Sequence, residues 1–516
     1  MQQYKILWAD DEIELLKPHI LFIEQKGYDL TPVNSGADAL EEIDHNHFDI
    51  VFLDENMPGM SGLETLNYIK STHPNLPVVM ITKSEEEEIM DEAIGAKIAD
   101  YLIKPLNPNQ ILLSVKKILE NKRIISEKTN LNYQKEFQRL SMEVMEAENH
   151  KDWAEIYRKL IHWELEIDDT EDRSMAEVLN TQKIEADSNF SDFIIKNYER
   201  WISDPDADRP LLSHRVIRNK LFPLMQDEPV FLIVVDNLRF DQWKTIEPDI
   251  AELFSIESEE LYYAILPTTT AYARNALFAG CTPLEIASRF PDLWVDEEED
   301  GKKNQFEAEL LESNLTRNRI KESFSYHKIL KSDEGKQLCE NILNLMTNGL
   351  NAVVFNFVDM LSHARTDMPM IRELAPDESA YRSITKSWFT HSSLYELLKI
   401  LASQKVKVAI TTDHGTIRVN KVQKIAGDRK TSTNLRYKAG KSLSFDEKEV
   451  YFHRNAEKIG LPKSHVSTTF AFALDDHFFA YPNNFNHYAR HYKNTFQHGG
   501  ISMEEMLIPF VVLGTK

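Results

Sequence analysis

Cysteine is nearly absent: Cys281 and Cys339 are the only two in 516 residues. Two thiols in so long a chain exclude a disulfide framework, and neither belongs to a CxxC pair of the kind that holds zinc, so both are expected as reduced core residues. Long apolar runs are missing too. No stretch approaches the roughly 20 residues that cross a bilayer, so no membrane span is expected. "YKILWADDE" enters a strand pattern without a leader-like prelude, which sets a cytoplasmic expectation. Positive charge is also short: 59 Lys and Arg stand against 83 Asp and Glu, a formal charge of -24. Affinity for long nucleic acid rests on neutralising phosphates with Lys and Arg, so this balance disfavours a basic gripping surface. A small phosphate ester held by metal ions remains compatible, because bound cations reverse the local field. No internal repeat or long low-complexity tract is apparent, and "SEEEE" at residues 84–88 reads as the solvated start of a helix.

What is present has the size of two or three domains. Residues 1–120 alternate short apolar runs with amphipathic stretches, the pattern of a parallel sheet with crossover helices. "YKILWAD", "DLTPVN", "FDIVFLD", "LPVVMIT" and "ADYLIK" read as five strands, and "EIELLKPHILFIEQKG" and "GADALEEID" as helices, the first ending on Gly27. Strand signals then disappear over residues 121–224. There "KDWAEIYRKLIHWELEI" aligns Trp153, Ile156, Leu160 and Trp163 on one stripe, so a helical linker and small bundle are expected. From 225 to 516 the alternation returns, enough for a second, larger α/β domain with a parallel sheet.

In the first segment Asp10 and Asp11 end strand one, Asp54 ends strand three, Thr82 strand four, and Lys104 with Pro105 strand five. In a doubly wound sheet these ends converge at the carboxyl edge. Three crowded carboxylates call for a hard, oxygen-seeking cation, and Mg²⁺ fits. A lysine and a hydroxyl beside it suit a phosphoryl group on Asp54. Through "ADDE", "LDENMPGMSG", "MIT" and "YLIKP" this segment resembles the response-regulator receiver domain, a flavodoxin-like doubly wound parallel sheet. The resemblance implies phosphorylation of Asp54 by a sensor histidine kinase, and Mg²⁺ held by Asp11 and Asp54 with help from Asp10 and the carbonyl of Asn56. It also implies that Thr82 and Tyr101 form the switch pair and that Lys104 contacts the phosphoryl group.

The last segment has three apolar runs that end in acids or histidines. "VFLIVVDNLRFD" ends on Asp236, "FNFVDMLSHAR" offers Asp359 and His363, and "VKVAITTDHGT" ends on Asp413 and His414. His498 in "FQHGGISMEEMLIPF" precedes a segment that returns to the sheet. Three imidazoles and three carboxylates make two sites of the kind zinc takes, and two such ions can activate a nucleophile and stabilise a leaving oxygen. "LPTTTAYARNALFAG" offers a threonine cluster running into a helix N-terminus, where phosphate is favoured. A threonine hydroxyl needs metal activation at neutral pH; the alternative reading of Thr268, Thr269 and Thr270 is as caps and polar turns. Arg239, Arg274 and Asn275 are candidates to contact substrate phosphate, although Arg239 also has Asp241 as a partner. His487 and His491 have i, i+4 spacing but no evident third ligand.

From residue 225 onward the arrangement resembles the alkaline phosphatase superfamily, in particular its PglZ branch, through "VVDNLR", "PTTT", "DMLSH", "TTDHG" and "HGG". Carried onto this chain, the resemblance implies one zinc held by Asp236, Asp413, His414 and a threonine oxygen, and another held by Asp359, His363 and His498. The family's spacing from Pro267 to Gly280 implies Thr270 as nucleophile, with Thr269 its nearest rival.

The order receiver, helical middle and PglZ-type domain resembles response regulators associated with type IX secretion. This implies a cytoplasmic two-component output whose partners are a sensor histidine kinase, an alternative sigma factor and a secretion-system component. No helix-turn-helix with a basic recognition helix stands in the middle segment, so direct DNA binding is not expected. Two functions follow. One is a zinc-dependent phosphodiesterase or phosphatase acting on a nucleotide-like phosphoester, with diesters favoured because no third metal site is evident. The other is a catalytically silent, zinc-stabilised scaffold that binds a sigma factor or secretion component when phosphorylated. A phosphorylation-promoted homodimer is expected in either case.

Overall fold

The structure is a computed structural model that describes residues 4–73, 76–83, 98–168, 173–225, 228–296, 303–428 and 431–516. The acidic run at 84–88 lies outside the described residues. The chain divides into two compact units, one ending at Asn132 and the other beginning at Tyr133.

The first unit is a five-stranded sheet of β1 (Lys5–Ala9), β2 (Asp29–Val33), β3 (Ile50–Asp54), β4 (Val78–Thr82) and β5 (Asp100–Ile103). All pairings are parallel in the order β2-β1-β3-β4-β5, the doubly wound arrangement expected. Strands β3 and β4 are buried along their whole length, which is why they read as continuous apolar runs rather than alternating ones. The first helix is tighter than its pattern indicated: a 3₁₀ turn, Ile13–Leu16, leads into Lys17–Gln25, and the chain turns at Gly27 with φ +95°. Ser61 and Glu64 form a capping box that starts helix Gly62–Thr72 after β3.

The second unit combines the helical middle with the C-terminal α/β layer. Helices His150–Asp168 and Arg173–Ser203 pack through Trp153, Ile156 and Leu160, with Trp163 partly buried, and the Trp153 and Phe190 ring centroids lie 5.5 Å apart. Their apolar residues share one continuous core with the strands of the sheet, including Phe231, Ile233 and Val353. That sheet contains β6 (Val230–Val235), β7 (Phe254–Tyr263), β8 (Phe324–Ile329), β9 (Leu350–Phe355), β10 (Lys407–Thr411) and a C-terminal strand, Leu507–Thr515. Strands β10, β6, β9 and β8 are parallel neighbours.

The expected parallel sheet is in fact mixed: the C-terminal strand runs antiparallel to both β10 and β7. Its entry point explains this. His498 sits at the carboxyl edge, and the short Ser502-capped helix Met503–Met506 feeds the chain into the sheet from that edge without a crossover. Cys281 and Cys339 are both free and buried, as expected.

Candidate functional site

In the first unit the carboxyl edge brings Asp10, Asp11 and Asp54 together, with one ligand oxygen from each within 4.8 Å of the others. Asp10 and Asp54 are buried and Asp11 is exposed. Lys104 Nζ bridges the buried pair, 2.8 Å from Asp10 and 2.9 Å from Asp54. Burial pushes the Asp54 carboxyl above its ordinary value; Lys104 opposes the shift and Asp10 adds to it. Burial works against the Lys104 ammonium, but the two acids outweigh it and raise its pKa. Thr82 Oγ1 donates to Glu55, and burial raises the Tyr101 phenol against an opposing hydrogen bond with Thr82. Asn56 is exposed on the loop after β3. A divalent cation fits this donor set, since it would relieve a charge imbalance that one lysine meets in part.

In the second unit, chain geometry puts the acids and imidazoles on neighbouring loops. Strands β6, β9 and β10 lie side by side and end at the same edge. Asp236 follows β6, Asp413 and His414 follow β10, and Asp359 and His363 stand one turn apart on helix Phe357–Asp367 after β9. His498 arrives on the separate loop before Met503–Met506. Two clusters result, Asp236, Asp413 and His414 in one and Asp359, His363 and His498 in the other, each with ligand atoms within 4.8 Å. The His414 and His498 rings stack with centroids 4.4 Å apart.

Thr270 belongs with the first cluster. Its Oγ1 lies 3.3 Å from Asp236 Oδ1 and 3.2 Å from His414 Nε2. It opens a π-helical turn, Thr270–Arg274, that leads into helix Asn275–Ala279. The neighbouring threonines sit differently. Thr268 Oγ1 donates to the Gly500 carbonyl and accepts from the Gly499 amide, so it pins the "HGG" loop. Thr269 occupies the cap position without capping the helix through its side chain.

Zinc fits these donors on three counts. His414 Nδ1 lies 3.1 Å from the Gly415 carbonyl and His498 Nδ1 lies 3.3 Å from the Thr268 carbonyl. A proton on each Nδ1 leaves Nε2 with a lone pair facing the acids, as carbonyl-oriented metal ligands do. Asp413 Oδ2 is buried without a hydrogen bond. The electrostatics are also unresolved: burial, with the Asp236 charge, pushes Asp413 up to about 6 and raises Asp359. Burial, followed by His414 and His363, holds the His498 imidazole well below its ordinary value. Burial works against the Asp236 charge, but Arg274 and His414 outweigh it and lower its pKa. A cation bound in each cluster would offset these penalties.

Several supporting residues were not singled out from the sequence. Asn237 adopts φ 65°, its amide nitrogen Nδ2 donates to Asp359 Oδ1 at 3.3 Å, and its backbone N–H points to Asp413 Oδ1 at 3.4 Å. It therefore touches both clusters, and its place inside "VVDNLR" was the available signal. Asn356 donates to Asp236 Oδ2 at 2.7 Å. Glu307 has no motif to announce it, yet its carboxylate takes Arg274 at 2.6 Å and Lys328 at 3.0 Å and accepts from Tyr326.

Arg274 and Asn275, candidates for phosphate contact, are buried and have partners within the protein. Arg274 lies 2.6 Å from both Asp236 and Glu307, while Asn275 Nδ2 donates to the Ala271 and Lys303 carbonyls. Arg239 is likewise buried and bonded to Asp241. His487 and His491 stack on an exposed helix, and among the described residues no third ligand joins them. Beside the second cluster an open cavity of about 340 Å³ is lined by His363, His498, Gln497, Asn434, Tyr437 and Tyr492, among others.

Fold and sites together define a response regulator whose receiver is joined to an alkaline-phosphatase-like output domain. The response regulator receiver domain model matches residues 6–116. The model described as the BREX system PglZ alkaline phosphatase-like domain matches residues 216–513, more than half of the chain, and the chain belongs to that PglZ family. Between them, residues 123–202 match the PorX response regulator linker domain. Similar proteins include the transcriptional regulatory protein ZraR of Escherichia coli O157:H7, 35% identical over 124 residues that cover 24% of this chain and 28% of that protein. The transcriptional regulatory protein CpxR homolog of Haemophilus influenzae is 34% identical over 117 residues, covering 22% and 50%. The chain thus spans about 28% of the length of the first of these relatives. The solved structure of a CheY-like receiver domain protein from Methanospirillum hungatei JF-1 matches at 25% identity, covering 23% of this chain and 96% of that one with a TM-score of 0.23.

Proposed function

We propose that this protein is a two-component regulator switched by phosphorylation of Asp54, and that its output domain is a zinc-dependent phosphodiesterase with Thr270 as nucleophile. The observation that carries the enzyme reading is the position of Thr270 Oγ1, within 3.3 Å of Asp236 and 3.2 Å of His414, beside a second cluster of three ligands. One zinc would be held by Asp236, Asp413, His414 and Thr270, and the other by Asp359, His363 and His498. Bound there, the ions would supply activation of the threonine hydroxyl and stabilisation of charge on the phosphoryl and leaving oxygens.

The chain's own residues prepare that chemistry. Arg274 and Asn356 fix the Asp236 carboxylate from one side, leaving its other oxygen toward Thr270. The carbonyls of Gly415 and Thr268 set the two imidazole tautomers. Attack by Thr270 Oγ would form its bond to phosphorus as the bond to the leaving oxygen breaks, the threonine proton going to the departing alcohol, and water would then release the remaining phosphate monoester and restore the threonine hydroxyl. Among the described residues, no lysine or arginine lines the cavity beside the second cluster. A dianionic monoester would have only the metal ions to offset its second charge among these lining groups, which favours diesters, nucleotide-like ones included.

The linker match and the order of the three domains support a regulator of type IX secretion acting in the cytoplasm. Its partners would be a sensor histidine kinase, an alternative sigma factor and a secretion-system component. Among the described residues no helix is long and apolar enough to cross a membrane.

The deciding experiment is hydrolysis of paired artificial diester and monoester substrates by zinc-loaded protein and by Thr270→Ala, with metal content measured in both. Diester turnover that falls by about 10³-fold or more in a variant still holding two zinc ions supports the reading. Two zinc ions with no turnover of either ester would instead favour a scaffold that binds protein partners.

A further inference from the structure

Helix Arg173–Ser203 has a polar rail on the face it presents to the output domain: Lys183, Asp187 and Ser191, at i, i+4 and i+8. All three are buried, and each makes polar contacts beyond its own helix. Lys183 Nζ lies 2.7 Å from Glu164, 3.3 Å from Glu378 and 3.4 Å from Glu504. Glu378 in turn lies 3.6 Å from Arg239, three residues beyond Asp236, and Arg239 is tied to Asp241 on the same turn. Asp187 Oδ1 accepts the backbone N–H of Met503 at 2.8 Å. Ser191 Oγ donates to Asp475 at 2.6 Å, next to Leu474, which forms a backbone bridge with Ile501.

These contacts converge on two loops. One carries Asp236, and the other runs from His498 through Ile501 to Met503. Burying charges costs several kcal/mol per ion, and apolar residues of similar volume usually serve stability as well or better. A buried ammonium among three carboxylates and a buried carboxylate spent on one backbone amide therefore call for a geometric explanation. Directional bonds fix where a loop sits, which apolar packing does less exactingly.

We propose that the helical middle is a built-in part of the metal centre, with Lys183 and Asp187 as positioning residues for the loops that carry Asp236 and His498. The proposal rests on the zinc reading above, but it does not need the site to turn over an ester. It also gives the middle segment a role beyond spacing: a change in this helix would alter metal geometry directly.

The test measures zinc affinity by chelator competition, and the visible spectrum of the Co²⁺-substituted protein, in full-length Lys183→Met, Lys183→Arg, Asp187→Ala and Asp187→Asn. The exposed Lys196→Met on the same helix is the control. Asp187→Ala and Lys183→Met should weaken zinc binding by about 10-fold or more and change the Co²⁺ spectrum, the range seen when groups that orient metal ligands are removed. Asp187→Asn keeps an oxygen for the Met503 amide and Lys183→Arg keeps the charge, so both should recover most of the affinity. If Lys183→Met does not fold, the Asp187 pair decides. Wild-type affinity and spectrum in folded Asp187→Ala would overturn the proposal, as would equal losses in Asp187→Ala and Asp187→Asn. Wild-type protein that binds zinc without hydrolysing any ester would sink the hydrolase reading and leave this one standing.

Discussion

At the scale of single residues, the chemistry depends on groups whose neighbours set their charge. Glu307 pairs with both Arg274 and Lys328 while Arg274 holds Asp236, so Glu307→Ala would leave the buried Arg274 and the half-buried Lys328 each short of a partner. A loss of about 3–5 kcal/mol in urea unfolding is expected, together with weaker zinc binding. His214 gives a pH dependence with a definite sign. Burial, reinforced by Arg215 and Arg209, lowers its pKa from 6.5 to about 3, and Arg215 Nε donates to its Nε2 at 3.3 Å, which requires a neutral ring. Below pH 6.5 the unfolded chain binds a proton that the folded chain refuses. Stability should therefore fall as pH drops from about 6.5 toward 3, and His214→Gln should flatten that slope in denaturant titrations.

At the scale of elements, loops at strand ends work because the segments beside them leave no slack. A Cβ at Gly415, directly after His414, would meet the Glu504 carbonyl at 2.0 Å. Gly415→Ala must displace either the "DHG" loop or the helix Met503–Met506, and loss of at least one zinc in metal analysis is expected. The helical middle makes a second element-scale prediction. Because Trp153 shares a core with the sheet, Trp153→Ala should cost about 3–5 kcal/mol, and it should lower the unfolding midpoint of the PglZ domain itself. A separate early transition that leaves zinc binding intact would contradict a shared core.

At the scale of the whole molecule, the proposed function would bring two signals together in one chain, a phosphoryl group on Asp54 and metals in the PglZ domain. Acetyl phosphate or beryllofluoride should raise the sedimentation coefficient of wild-type protein toward a dimer, with no such shift in Asp54→Asn. An unchanged coefficient in the wild type would rule out the phosphorylation-promoted homodimer. Metals that bind only the folded state stabilise it by mass action. Chelation should accordingly lower the melting transition of the PglZ domain, and zinc should restore it.

The five receiver strands were legible in the sequence, and so were the acids and histidines that gather where strands of the second sheet end. A buried strand must be apolar and must then end, so a carboxylate or imidazole at the break stands out against a short, local pattern. What only the tertiary structure decided involves residues far apart in the chain. The antiparallel C-terminal strand, the inward turn of Arg274 onto Asp236 and Glu307, the bridging Asn237 and the Lys183–Asp187 rail each depend on which loops become neighbours. Local sequence sets where strands and helices begin and stop, whereas the partner of a buried charge is chosen by packing, and packing is a property of the folded chain.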